Sequence, residues 1–583
     1  MNKLKPLPEE WSGLLNNEQK EAIENINGPL LIIAGAGSGK TRVLTYRYAH
    51  LIKTYGINFE NVLAITFTNK AANEMKDRIS DLLNLELSPK WISTFHSLCV
   101  KMLRIHGHLI GFNNNFTIYD QSDSTKLVRN CMRDSDIDTK QYSPKRIQAH
   151  ISSLKNQRIL PGEAVEFAQS FFDVKVAEIY SSYQKKLMLA NSMDFDDLLI
   201  KAVELLETSD KSLNYWSSKF QYIMIDEYQD TNMVQYRLVE LLASKHKNIC
   251  VVGDSDQSIY AFRGADIRNI EEFESDFKNA KVISLEKNYR SSQKILDIAN
   301  AVISNNPRKK DKKLWTDNDE GLDVNLVEFN SERDESKWIA EQINKLLEDK
   351  AFTEIAIFYR TNNQSRLFEE ELRKLSLSYK VVGNVRFYDR KEIKDILAYL
   401  NYLINPEDTV SFERILNVPK RGIGESTLQK LRDYANKNEI SLSKSIENLD
   451  EINNLSDRVK KQINNFKEII NDLKSFALQG PSETISKTLE LTGYKDELVK
   501  EGTLDSQMRL ENLDELLTSA FEFENLYEED IEDPFTVLRD YLESIALFTD
   551  SDDVDKEDRI LLMTLHNAKG LEFPVVFMTG MEE

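Results

Sequence analysis

GPLLIIAGAGSGKTRVL, from Gly28 to Leu44, decides how the rest of the chain is read. LLIIA is apolar at every position, as a strand covered on both faces requires. A turn follows, built from Ala34, Gly35, Ala36, Gly37, Ser38 and Gly39, and then Lys40 and Thr41. Glycines in such a turn let backbone N–H groups point inward around phosphate oxygens, and the next helix adds its N-terminal dipole. Lys40 is suited to the β- and γ-phosphates of a nucleotide, and Thr41 to ligating Mg2+. Ala34 occupies the first glycine position of G-x-x-x-x-G-K-[ST], a mild departure.

Outward from this stretch, short apolar runs recur and end in polar or glycine-bearing loops: NVLAITFTN, KWISTFH, YIMIDE, NICVVGD and KVISLEKN. Each precedes a helix-like stretch, which is the pattern of an α/β parallel sheet. YIMIDEYQD adds the carboxylates that phosphoryl chemistry needs: Asp226 to hold the metal, Glu227 to orient or deprotonate water. Residues 117–191 turn to polar helices, and strand patterns resume at YIMIDE. A second α/β series runs through KVISLEKN, DVNLVEF and EIAIFYR, gives way to helix over 389–553, and returns in RILLMTLHNAKG and FPVVFMTG. The expected organisation is two α/β cores, each with a helical insertion. The first core is 1–116 and 192–282, interrupted by 117–191. The second is 283–388 and 554–583, interrupted by 389–553.

With 583 residues the chain is too long for one core. Its 41% hydrophobic and 29% charged residues are ordinary for a globular protein. No secretory h-region or membrane-length apolar run is present. Cys99, Cys131 and Cys250 are widely spaced, which argues against zinc, iron–sulfur and disulfide frameworks and fits a reducing cytoplasm. The net charge of −21 at first speaks against nucleic acid. Yet Asp505 to Asp558 holds 19 acidic and 3 basic residues, a net of −16, so one segment dominates the sum.

IDEYQDTN joined to AGAGSGKT resembles the superfamily 1A DNA helicases of the UvrD/PcrA/Rep type. Further stretches match in the family's order: LNNEQKEAI, ITFTNKAANEMKDRI, STFHSLCVKMLR, VVGDSDQSIYAFRGAD, LEKNYRSSQKIL and MTLHNAKGLEFPVVF. The resemblance implies two RecA-like P-loop motors, 1A and 2A, with ATP between them and helical subdomains 1B and 2B inserted. It implies that Gln19 reads adenine, which Arg42 and Tyr289 sandwich. Gln257 and Arg290 approach the γ-phosphate, Lys569 lies near the cleft, and Glu572 contacts the ribose. Lys40, Asp226, Glu227, Gln257 and Arg290 form the catalytic set, with Thr41 and Asp226 on Mg2+.

Single-stranded DNA is expected to stack on Phe67, Phe195, Tyr260 and Phe262, with polar contacts from Asn69, His96, Arg263 and His566. Phe262 stands where the family usually has tryptophan. Lys420 and Arg421, beside Gly422 and Gly424, are candidates for duplex phosphates. The family implies 3′→5′ movement and duplex unwinding in DNA repair or replication. Expected partners are single-stranded DNA, its junctions with duplex and repair or replication proteins. No membrane is expected, and the chain is read as a monomer or weak dimer. VVFMTGMEE closes the sequence before the family's motif VI, so a truncated second motor is expected. Two alternatives follow: a nucleotide and DNA binder with little hydrolysis, and the motor part of a helicase–nuclease.

Overall fold

A computed structural model describes residues 5–85, 89–306, 312–383, 387–527, 533–548 and 558–582. Its strands in chain order are β1 (Leu30–Ala34), β2 (Val62–Thr66), β3 (Ile92–Thr94), β4 (Thr117–Tyr119), β5 (Ser192–Asp194), β6 (Tyr222–Ile225), β7 (Ile249–Gly253), β8 (Lys281–Leu285), β9 (Ile355–Tyr359), β10 (Tyr379–Val381), β11 (Ile560–Thr564) and β12 (Val575–Met578).

Six of them form a parallel sheet in the order β3-β2-β6-β7-β1-β8. Helices cover both faces, which is why β2, β6 and β7 are buried at every residue. The chain leaves β1 for β2, fills the gap later with β6 and β7, and adds β8 on the far side. The carboxyl ends of β1, β6 and β7 therefore meet at a reversal of strand order, where open α/β sheets bind ligands. A second parallel sheet has the order β10-β11-β9-β12.

The first helical insertion consists of Gln121–Asp134, Pro144–Asn156 and Phe171–Leu189. It is not helical throughout: β4 and β5 pair in parallel at its two ends. Lys155 lies buried between Asp194, at 2.7 Å, and Asp197, at 2.8 Å, and ties the insertion to the end of β5. Burial alone lowers the lysine's affinity for its proton, but these two carboxylates outweigh it and raise it. The second insertion runs from Lys391–Ile404 to Thr536–Ala546 and has its own core, with Tyr399, Phe412, Phe466 and Leu516 fully buried.

The two helical units touch. Tyr119 Oη donates to Asp408 Oδ1 at 2.6 Å, and Asn405 Nδ2 donates to Thr117 Oγ1 and to the Ala190 and Asn191 carbonyls at 2.9 Å each.

DVNLVEF departs from expectation. Residues 321–330 form no strand, and Leu322 and Leu326 are 91% and 95% exposed. An alternating apolar segment becomes a strand only where a neighbour takes its backbone hydrogen bonds, and no described strand lies beside this one. The expected return from helix to strand at 553/554 lies outside the described residues. No helix among the described residues is long and apolar enough to cross a membrane.

Candidate nucleotide and nucleic-acid sites

β1 delivers the chain into the glycine turn at Ala34. Gly37 and Gly39 have φ of +65° and +85°, the left-handed region that side-chain-bearing residues avoid. The turn is also closely embraced: a Cβ on Gly37 would stand 2.5 Å from Asn288 Nδ2, and one on Gly39 would stand 2.9 Å from Gln19 Nε2. Ser38 Oγ donates to the Gly35 carbonyl at 2.7 Å. The helix Lys40–Lys53 starts with no side-chain cap, which leaves its first N–H groups for a ligand's oxygens. Ala36 and Arg42 are exposed.

Gln19 is buried behind this turn. Asn16 and Gln19 cap the helix Asn17–Glu24 reciprocally, and Gln19 Nε2 donates to the Ser38 carbonyl at 3.1 Å. Asn16 Nδ2 also donates to Tyr289 Oη at 3.0 Å, which brings the expected adenine residues to one side of the turn.

Lys40 Nζ donates to Glu227 Oε1 at 2.7 Å and to Gln257 Oε1 at 3.3 Å. Burial works against its charge, but Glu227 and Asp226 outweigh burial and raise its proton affinity. Glu227 is held low in turn: its burial is outweighed by Lys40 and Lys569, and Gln229 Nε2 donates to Oε2 at 2.6 Å. Its backbone is left-handed, φ +50°, a strained conformation for a glutamate.

Asp226 behaves oppositely. Burial and the adjacent Glu227 push it up to about 7, against the pull of Lys40. A buried carboxylate that resists ionisation beside a phosphate loop suits a divalent cation, which would restore its charge. Among the described residues there is no group of three or more metal-binding side chains.

The second half of the chain reaches into this cleft. Asn288 Nδ2 donates to the Ala36 carbonyl at 2.6 Å, and Tyr289 N donates to the Gly37 carbonyl at 2.9 Å. Asn288 Oδ1 accepts from the backbones of Arg290 and Ser291, which orients the arginine. Arg290 Nε pairs with Glu572 Oε2 at 2.5 Å. Lys569 Nζ binds the buried Asp230 and donates to the Gln257 carbonyl at 2.7 Å. Burial raises Asp230 to about 6 even with Lys569 beside it.

Beyond the cleft lies an aromatic group. The Phe67 and Tyr260 rings stack at 5.4 Å, and Phe262 packs edge-on to His566 at 5.1 Å. Phe262 is 66% exposed, and the Arg263 guanidinium stands 5.4 Å from the Tyr260 ring. Tyr260 Oη donates to the His566 carbonyl at 3.0 Å. His96 and Phe195 form a separate pair at 5.6 Å, and burial lowers His96 to about 4, so it is neutral. Asn69 Nδ2 donates to the Leu547 carbonyl at 2.8 Å, at the end of the second helical unit.

Arg421 departs from its expected role. Its guanidinium turns inward and donates to the carbonyls of Ile415, Leu416 and Val418 and to Tyr399 Oη. Lys420, Gly422 and Gly424 remain exposed. Sequence reasoning missed Asn288, Asp230, Asp254 and Lys312, although the first three lie within or beside motifs it had marked.

A phosphate-loop lysine, a strand-end carboxylate pair, and a lysine and an arginine supplied from the second half are the parts of a two-domain nucleic-acid motor. Residues 15–278 match the UvrD/REP helicase N-terminal domain and residues 283–583 the UvrD-like helicase C-terminal domain, and the chain belongs to this helicase family. The ATP-dependent DNA helicase PcrA of Staphylococcus aureus strain COL is 46% identical over 571 residues, covering 98% of this chain and 78% of the relative. PcrA of Staphylococcus epidermidis strain RP62A matches to the same extent. The expectation of an incomplete second motor finds no support, because the C-terminal domain match extends over 283–583.

Proposed function

We propose that this chain is an ATP-driven translocase that moves 3′→5′ on single-stranded DNA and unwinds duplex ahead of it. The observation that carries the reading is the arrangement of Lys40, which bridges Glu227 and Gln257 at the mouth of the phosphate loop. On this reading 1A is 1–116 and 192–282, 1B is 117–191, 2A is 283–388 and 554–583, and 2B is 389–553.

Two ion pairs stand in for nucleotide contacts. Lys40 exchanges Glu227 for the β- and γ-phosphates, and Arg290 exchanges Glu572 for the γ-phosphate. Released from Lys40, Glu227 stays anchored by Gln229 and takes the proton of the attacking water. Gln257 and Arg290 offer donors to the charge that develops on the transferred group. Mg2+, held by Thr41 and Asp226, would neutralise phosphate oxygens there. Gln19, Arg42 and Tyr289 hold the base.

Closure of the cleft around ATP moves Lys569 and His566 together, because both lie on the loop after β11. His566 touches Tyr260 and Phe262, so a shift of this loop reaches the aromatic group. Phe67, Tyr260 and Phe262 offer faces to unstacked bases, Arg263 offers a cation, and His96 and Phe195 extend the track. Phosphate contacts then need not overcome the net charge.

ATP hydrolysis with and without single-stranded DNA tests the reading, with Lys40→Ala as the control. DNA-stimulated turnover that Lys40→Ala lowers about a thousandfold supports it. Turnover unaffected by Lys40→Ala, or by DNA, overturns it.

A further inference from the structure

Lys312 comes from the second half of the chain, yet its side chain is only 7% exposed. Its ammonium pairs with Asp254 and, at 3.2 Å, with Asp256. The segment that carries it is firmly seated. Leu314 presses on the phosphate loop so closely that a Cβ on Gly35 would lie 2.2 Å from its Cδ2. Asn300 Nδ2 donates to the Leu314 carbonyl at 2.9 Å, and Trp315 N donates to the Glu286 carbonyl at 3.3 Å.

Asp254 is buried, and its two oxygens have different partners. Oδ1 takes Lys312, while Oδ2 accepts from Gln257 Nε2 at 2.6 Å. The other end of that amide, Gln257 Oε1, accepts from Lys40 at 3.3 Å. An ionised carboxylate only accepts hydrogen bonds, so it selects the orientation of Gln257 with its NH2 toward Asp254 and its carbonyl toward Lys40. Lys312 holds Oδ1 and so keeps the carboxylate turned with Oδ2 toward the Gln257 amide.

We propose that Lys312 is a positioning residue for ATP hydrolysis: by pairing with Asp254 it fixes the orientation of the Gln257 amide and, through it, of Lys40. The inference rests on the reading of this cleft as an ATP-hydrolysing site. Without Lys312, the Asp254 carboxylate either turns away from the Gln257 amide or draws Lys40, which already feels its field. Both outcomes disturb the transition state more than the binding of ATP, because Gln19, Tyr289 and the loop backbone are untouched.

The test is a kinetic cycle on the full chain with saturating oligothymidylate: wild type, Lys312→Gln, Lys312→Arg, Asp254→Asn and the Lys312→Gln/Asp254→Asn double variant. Lys312→Gln is expected to lower kcat about tenfold or more with KM for ATP within about twofold, the pattern of an interaction made in the transition state. Lys312→Arg should recover most of the loss. The double variant should be no slower than the slower single variant, a coupling of about fivefold or more. Wild-type kcat in Lys312→Gln, or additive losses in the cycle, overturns the inference. Should Lys312→Gln lack a cooperative thermal transition, Asp254→Asn decides, and unchanged kcat there overturns it too. A wild type without DNA-stimulated turnover counts against the helicase reading, whereas an active wild type with an equally active Lys312→Gln counts against Lys312 alone.

Discussion

Arg421→Met separates a structural arginine from a DNA-binding one. The guanidinium sits at the carboxyl end of the helix Thr409–Ile415, and its Nη1 donates to the Ile415, Leu416 and Val418 carbonyls at 2.8, 3.3 and 3.0 Å. Its Nη2 donates to Tyr399 Oη at 2.5 Å, and its plane lies 5.3 Å from the Phe466 ring. Hydrogen bonds from a charged donor are worth about 1.5–3 kcal/mol each and do not add fully, and a cation over a buried ring contributes about 1 kcal/mol. Methionine refills the volume and leaves the carbonyls without donors, so a loss of about 4 kcal/mol is expected for the second helical unit. In a unit of this size that lowers its unfolding temperature by about 10 °C. Hydrogen exchange read by mass spectrometry should show loss of protection centred on residues 399–423. Lys420→Met, at an exposed position, should leave protection unchanged and reduce only the salt dependence of duplex binding. The reasoning fails if Arg421→Met keeps wild-type protection, or if it loses duplex binding while melting like wild type.

Lys569→Met leaves Asp230 buried without its cation, so the carboxylate protonates at neutral pH; stimulation of ATP hydrolysis by DNA should disappear, and a retained stimulation would break the proposed link between the cleft and the aromatic group. His96→Asn should flatten the acid limb of stability. Unfolded imidazole binds a proton below about pH 6.5 while the folded ring waits until about 4, so wild type loses stability as pH falls between these values. The loss at pH 5 is about 2 kcal/mol, read as the difference between urea midpoints at pH 5 and 7.5 in the two proteins, and equal differences would refute it. Phe262→Ala should weaken single-stranded DNA binding by about 1–3 kcal/mol in fluorescence anisotropy, and unchanged affinity would remove Phe262 from the DNA track.

The two sheets were legible where strands are buried on both faces. LLIIA, YIMI and ICVVG are apolar without interruption, and they form β1, β6 and β7 at the centre of the first sheet. DVNLVEF is apolar only in alternation and is no strand, because such alternation records a preference and not a partner. β4 and β5 are three residues each, too short to stand out from the helices around them. In the cleft, residues inside glycine and carboxylate motifs were legible because their chemistry limits the residue types. Asn288 and Lys312 were not, since each owes its role to a neighbour far away in sequence: Ala36 for one, Asp254 for the other. Arg421 shows the limit from the other side. Its charge is plain in the sequence, but which way it points depends on three carbonyls that only the folded turn presents.

The neck formed by β4 and β5 bears on how such chains diversify. Thr117 lies beside Ser192 and Tyr119 beside Asp194, in a two-stranded pair apart from the six-stranded sheet, so the first helical insertion leaves and re-enters the first core at one spot. With its ends already held together, lengthening, shortening or exchanging what lies between adds little closure entropy and strains no strand of the sheet. The neck is therefore a splice point at which a different binding module could be grafted onto an unchanged engine. A graft must keep carbonyls where Ala190 and Asn191 offer theirs, since Asn405 of the other helical unit fastens there.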